Sequence, residues 1–273
     1  MFPLRTRFLP RSADALRDAL EEGLRSILQP PFPRAVTVED ANYPELAAIR
    51  ISLDNAVAVD APPPLPQRNG TLEPGLRVKY LEINGQAVRV QRAAIDLSCV
   101  ARDARIAESR DHNGNVLLLL QEAAEGKIDI SLPVADLQAL VRSGATAAAA
   151  KHGVMLEDLR LQVRAETART LALQARVRAR KLFLNTELRL SGRLEIDEQM
   201  NAEVSGLECL GEGTLGTLAC GFLGPYLERF NKRKYSLVAL PLGEVKLRDI
   251  QIAVDSRLRV SALFGSDGRT SAH

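Results

Sequence analysis

From Leu171 to Ile196 apolar and charged residues alternate along LALQARVRARKLFLNTELRLSGRLEI. Successive side chains on a β-strand point to opposite faces, so this period of two predicts long strands with one dry face and one basic face. Leu171, Leu173, Ala175, Val177 and Ala179 form the inward set, and Arg176, Arg178 and Arg180 face the other way. At Arg180-Lys181 the phase slips, and the apolar set continues as Leu182, Leu184, Leu188, Leu190, Leu194 and Ile196. A shift of one residue exchanges the two faces, so a β-bulge or a break between two strands is expected there.

Similar patterning covers most of the chain. Ser12 caps an expected helix to about Leu28, with Leu16, Leu20, Leu24, Ile27 and Leu28 on one stripe, until Pro30-Pro31 stop it. Strands are expected over 35–40 and 47–60, before the proline-rich loop APPPLPQRNGTLEPG. Residues 76–83 and 86–100 flank Asn84-Gly85, which predicts an antiparallel hairpin, and a phase change predicts a bulge near Ala93-Ala94. A turn at 111–115 leads to strands over 116–120 and 127–132. Pro133 then opens a helix to about Lys151, and a strand over 154–166 joins the long ladder. Beyond it come a strand over 201–210 and a second long helix over about 213–234. Leu215, Leu218, Phe222, Leu223, Tyr226, Leu227 and Phe230 make the stripe of that helix, and Pro225 should kink it. Antiparallel strands close the chain over 235–240 and 245–264, with a tight turn at Asp255-Ser256-Arg257.

Composition narrows the function classes. The 273 residues are 46% hydrophobic, enough for a sizeable core, and the net charge of +2 argues against nucleic-acid binding by bulk electrostatics. The basicity is local: from Arg160 to Arg193 there are nine Lys/Arg against two Glu. Such a patch meets phospholipid head groups or nucleic acid, or else it is a solvated outer sheet face. Nucleic acid is disfavoured, because Phe183 is the sole aromatic in the ladder and stacking needs more. The first residues interleave Phe2, Leu4, Phe8 and Leu9 with Arg5, Arg7 and Arg11, which reads as an arm that touches an anionic surface or as a frayed end. No run approaches the roughly 18 apolar residues of a membrane span, and no signal-peptide core is present. The chain as written is therefore expected in the cytoplasm or at the membrane periphery, and in the envelope if a leader precedes it.

Candidate chemistry is sparse. Cys99, Cys209 and Cys220 are odd in number and lack CxxC spacing, so neither a disulfide framework nor a metal site is expected, and Cys99 and Cys220 read as small buried hydrophobes. Gly211-Glu212-Gly213-Thr214-Leu215-Gly216 matches GxGxxG between a strand and a helix, but the next strand supplies no acidic residue for a ribose. Close packing of helix on sheet is the better account of these glycines. No histidine or second acidic cluster has a sequence spacing that ties it to the acidic pairs Asp197-Glu198 and Glu157-Asp158, and no Gly-x-Ser-x-Gly elbow occurs. The reading is of a non-enzyme with no catalytic residues and no cofactor.

From Leu132 onward the order of elements resembles bacterial lipid-binding domains related to the tubular superfamily of the bactericidal/permeability-increasing protein. The stretches that carry the resemblance are SLPVADLQALV, VMLEDLRLQV, the ladder, GLECLGEGTLGTLACGFLGPYL and YSLVALPLGEVKLRDIQIAVDSRLRVSALFG. Within the last, Leu240-Pro241-Leu242-Gly243 and the closing Leu263-Phe264-Gly265 are similar to family features. The resemblance implies an α+β fold, a highly curved, long-stranded antiparallel sheet wrapped around amphipathic helices. Residues 1–33 are then an arm and helix, 34–265 one curved-sheet domain and 266–273 a tail. It also implies a phospholipid or other hydrophobic ligand, its acyl chains against Leu215, Leu218, Phe222, Leu223, Leu227, Leu173 and Val177. Arg176, Arg178, Arg180 and Lys181 are the candidates for head-group or anionic-membrane contact. A structural or assembly protein with a filled interior is the alternative.

Overall fold

The structure, a computed structural model, describes residues 2–60, 63–64, 66–181, 184–231, 233–237 and 245–266. Large, mainly antiparallel sheets and three α-helices make up these residues, which divide into two units. Unit 1 takes the described residues of Met1–Ser131, Val238–Asp249 and Ser261–His273; unit 2 takes those of Leu132–Leu237 and Ile250–Val260.

In unit 1 the N-terminal arm is a paired strand, not a frayed end. Phe2 and Pro3 of β1 (Phe2–Pro3) pair with Leu118 and Leu117 of β8 (Val116–Glu122), and the Leu4 side chain is buried. Gly23 of α1 (Ala13–Arg25) explains the fit, since a Cβ there would lie 2.5 Å from the Pro3 carbonyl oxygen. The Ser12 hydroxyl caps α1 by accepting from the Ala15 N–H at 3.3 Å, and Leu16, Leu20 and Leu24 are buried as their spacing predicts. The helix ends at Arg25, earlier than expected, because Leu28 and Gln29 form β2 (Leu28–Gln29) against β5 (Val57–Ala58). Glu21 accepts hydrogen bonds at 2.9 Å from the N–H groups of Ala35 and Val36, which fixes α1 to the start of β3 (Val36–Asn42).

The main sheet also contains β4 (Glu45–Ser52), β6 (Asn69–Val90), β7 (Ala93–Arg110), β9 (Glu125–Pro133), β15 (Leu247–Val254) and β16 (Arg257–Phe264), in the order β15-β16-β9-β7-β6-β4-β3. β4 and β6 run parallel, while β6 and β7 form a long antiparallel pair. The hairpin expected at Asn84-Gly85 is not there. β6 continues through it with a register shift between Gly85 and Val88, and the chain reverses between Val90 and Ala93. A Cβ on Gly85 would come within 2.6 Å of Val88 and 2.9 Å of Leu53, so this glycine serves close packing. The left-handed conformations fall instead on Ala87 and Gln91. At the other end, Gly126 makes room for the ring of buried Phe264. Leu240-Pro241-Leu242-Gly243 lies outside the described residues.

Unit 2 opens with α2 (Val134–Ala150), begun by Pro133 as expected. An antiparallel meander follows, made of β10 (Met155–Thr167), β11 (Thr170–Lys181), β12 (Leu184–Ile196), β13 (Asn201–Gly211) and β14 (Arg233–Ser236), with α3 (Gly213–Phe230) between the last two. The slip in the ladder is a break between strands: β11 ends at Lys181 and β12 opens at Leu184, its register partner. Cross-strand pairing then aligns the apolar sets on one face. Leu161 meets Ala175 and Val163 meets Leu173 across β10 and β11; Ala175 meets Leu190 and Leu171 meets Leu194 across β11 and β12.

Candidate functional site

The two units are packed unequally. Among the described residues the largest fully buried side chains, Leu4, Leu16, Leu46, Leu76, Leu117, Val78 and Val116, all belong to unit 1. In unit 2 the apolar face of the meander is buried at Leu159, Leu171, Ala179, Leu188 and Ile196 but only half-buried at Leu161, Val163, Leu173, Val177, Leu190 and Leu194, and α2 has no buried residue. A sheet stabilised by a solid core would cover such a face at close-packed density.

The two helices take opposite sides of this face. Along the edge strand β10, Gln138 of α2 accepts from the Leu161 N–H at 3.0 Å and Arg142 donates to the Glu157 carbonyl at 2.9 Å. α3 is held to β12 and β13 by two close contacts. The Glu212 N–H donates to the Glu187 carbonyl at 3.1 Å. A Cβ on Gly211 would sit 2.0 Å from the Gly216 carbonyl carbon, so the GxGxxG glycines occupy a helix-to-strand approach that no other residue fits. A disulfide between Cys209 and Cys220, with Cα atoms 5.4 Å apart, ties the same elements together. This corrects the expectation of no disulfide and the reading of Cys220 as a small buried hydrophobe. Cys209 pairs with Leu190 across strands and so shares its face, and Cys220 falls one turn beyond Gly216 on the helix side that meets the sheet. In the strand order β11 lies between β10, which contacts α2, and β12 and β13, which contact α3.

The sequence-derived candidates separate on this frame. Leu173 and Val177 lie on the apolar face, and Leu223 and Leu227 are half-buried on α3. Leu218 and Phe222, however, are 56% and 77% exposed on the other side of that helix. The side chains of Leu215 and Lys181 lie outside the described part of the structure. Arg176, Arg178 and Arg180 are exposed on the face opposite Leu173 and Val177.

That outer face is an ion-pair lattice. Arg178 pairs with Glu187 at 3.7 Å, Arg180 with Glu157 at 3.4 Å, Arg160 with Asp158 at 3.2 Å, Arg189 with Glu212 at 2.6 Å, and Arg193 with Glu166 at 2.8 Å. Glu157, Asp158 and Glu212 lie outside the basic stretch in sequence, so a linear charge count misses them. Arg176 stands between Arg160 and Arg189 in one cross-strand row and, among the described residues, has no carboxylate within ion-pair range. Exposed pairs of this kind stabilise by about 0–1 kcal/mol each. They do leave the face far less basic than the sequence suggests.

The acidic pairs have structural roles. The Asp197 carboxyl is held below the usual carboxylate range, chiefly by the Asn201 backbone N–H at 2.8 Å, with the Asn201 amide adding to the effect. Among the described residues no group of three or more His, Cys, Asp or Glu side chains is placed to hold a metal ion. No described helix is long and apolar enough to cross a membrane. In unit 1 an open polar cleft of about 390 Å³ is lined by Asn69, Glu73, Glu108, Asp111 and His112 among others, and Glu108 is engaged by Arg110 at 2.8 Å.

Burial pushes the Cys99 thiol up to about 11, which keeps it protonated and unreactive near neutral pH. Alkylation followed by mass spectrometry should therefore label no cysteine in the native chain, Cys99 alone after denaturation, and all three after denaturation with reductant. Labelling of Cys209 or Cys220 without reductant would contradict the bridge.

Comparison with family models, curated proteins and solved structures finds no match to this chain.

Proposed function

We propose that unit 2 binds a phospholipid or other acyl-chain ligand without catalysis, along the apolar row of β11 between α2 and α3. The observation that carries this reading is the row of half-buried apolar positions on the meander, in a unit that holds none of the largest fully buried side chains among the described residues. An acyl chain laid on Leu173, Val177, Leu190 and Leu223 would complete the burial at roughly 25 cal/mol per Å². The resemblance to tubular lipid-binding domains supports the same class of ligand. A highly curved sheet wrapped around the helices is part of this proposal.

The arginine face has no direct part in it. Successive strand residues point to opposite faces, so a ligand held on Val177 is separated from Arg176 and Arg178 by the sheet itself. The bridge between Cys209 and Cys220 supports action in an oxidising compartment, where such bonds persist.

Leu223→Asp places a charge in the seam while most of the helix-to-sheet contact is kept. The variant should fold, by circular dichroism, and retain at least tenfold less lipid than the wild type after detergent-free purification. Arg178→Glu should retain lipid unchanged. Equal retention in a folded Leu223→Asp protein would remove the ligand from this seam. A structural or assembly role is then left, to be recognised as a fixed oligomer that carries no lipid.

A further inference from the structure

The outward side of α3 is apolar and open, and we propose that it docks on the surface of an anionic lipid bilayer. From Gly213 to Leu227 the helix carries no charged residue, although one of its sides faces solvent. Leu218 and Phe222, one turn apart, are 56% and 77% exposed, and Gly221 and Pro225 beside them are exposed as well. A helix that is apolar all round belongs in a core or in a membrane. α3 is not long and apolar enough to span one, and its inner side is already committed to β12 and β13 by Gly211, Gly216 and the disulfide. Shallow insertion of the outer side is what this geometry allows.

Charge selects the kind of surface. The same side ends at exposed Arg229, one turn beyond Pro225, and the chain continues into Arg233 and Lys234, both exposed. Arg233 stacks 5.2 Å from the centroid of the Tyr235 ring, an arrangement suited to the level of the head groups. Lys234 is shared with Asp197 and Glu203, and Glu228 is the one acidic residue of the helix. The apolar patch is thus bordered at one end by cations, which fits phosphate-bearing lipids. This surface is separate from the seam and does not depend on it.

The chain contains no tryptophan, so Phe222→Trp gives a single reporter at the centre of the patch. Its emission should shift to the blue on addition of phosphatidylcholine vesicles containing phosphatidylglycerol, and not on addition of phosphatidylcholine alone. In co-sedimentation with the mixed vesicles, Phe222→Ser should lower the partition coefficient about tenfold, and the double variant with Leu218→Ser about a hundredfold. Arg229→Glu with Arg233→Glu should weaken partitioning at low salt, with the difference vanishing at high salt. A Leu223→Asp chain emptied of lipid should still partition, which keeps this test apart from that of the seam. An unshifted Phe222→Trp emission would overturn the proposal, as would vesicle binding unchanged in the double serine variant. A wild-type dimer that Phe222→Ser turns into a monomer would assign the patch to a second copy of the chain instead.

Discussion

Leu117→Ala is expected to destabilise the protein by about 3–5 kcal/mol, whereas Leu173→Ala should cost about 1 kcal/mol. Leu117 lies on β8 with no exposed surface, so truncation leaves a cavity that its neighbours cannot fill. Leu173 is half-buried on the open face of β11, where the lost methyl groups already meet water in part. The measurement is the unfolding midpoint of lipid-stripped protein in urea, followed by circular dichroism. Two transitions are to be fitted if the units unfold separately. Similar losses at the two positions would contradict the unequal packing on which the functional proposal rests. With ligand present Leu173→Ala should cost more, because a ligand that binds only the folded chain adds its own stabilisation.

Gly211→Ala is expected to cost about 3 kcal/mol or more, since an added Cβ would overlap the Gly216 backbone and neither side is a flexible side chain. α3 would have to lift from β13 against the pull of the bridge between Cys209 and Cys220. Gly221→Ala is the control. Nothing lies within 4 Å of its added Cβ, and alanine is the better helix former by about 0.5–1 kcal/mol. Thermal unfolding of the two variants should move in opposite directions. A Gly211→Ala protein as stable as the wild type would mean that the helix does not rest on the strand at this point.

Much of this architecture was legible because it is local. The cap at Ser12, the stripe of α1, the start of α2 at Pro133 and the alternation of β10 to β12 all follow from spacing within one element. The break after Lys181 was legible as a change of phase. The misses came where tertiary packing overrides a local signal. Asn84-Gly85 has the composition of a tight turn, but Leu53 and Val88 claim the space that its glycine leaves. The actual reversal beside Gln91 has no glycine to announce it. Parallel pairing of β4 with β6, and of the arm with β8, depends on contacts that no short window contains.

The candidate site was legible only by half. Alternation placed Leu173 and Val177 on the dry face, but the stripe of α3 was drawn too broad. Exposed Leu218 and Phe222 look the same in sequence as Leu223 and Leu227, which are half-buried. The bridge had a usable signal. Cys209 is in phase with Leu207 on the strand, and Cys220 is in phase with Gly216, Leu223 and Leu227 on the helix, so the two sulfurs were due to meet where α3 crosses β13. The basic ladder misled because three of its partner carboxylates come from outside the stretch.

The most direct test of the functional proposal is the content of the protein itself. The chain is to be purified from cells without detergent, with its disulfide formed, and compared by native mass spectrometry and by mass spectrometry of an organic extract. The proposal predicts one lipid per chain at most, near-stoichiometric in occupancy, and lost in Leu223→Asp. A wild-type protein that is empty, and stays empty after incubation with phospholipid vesicles, would contradict it.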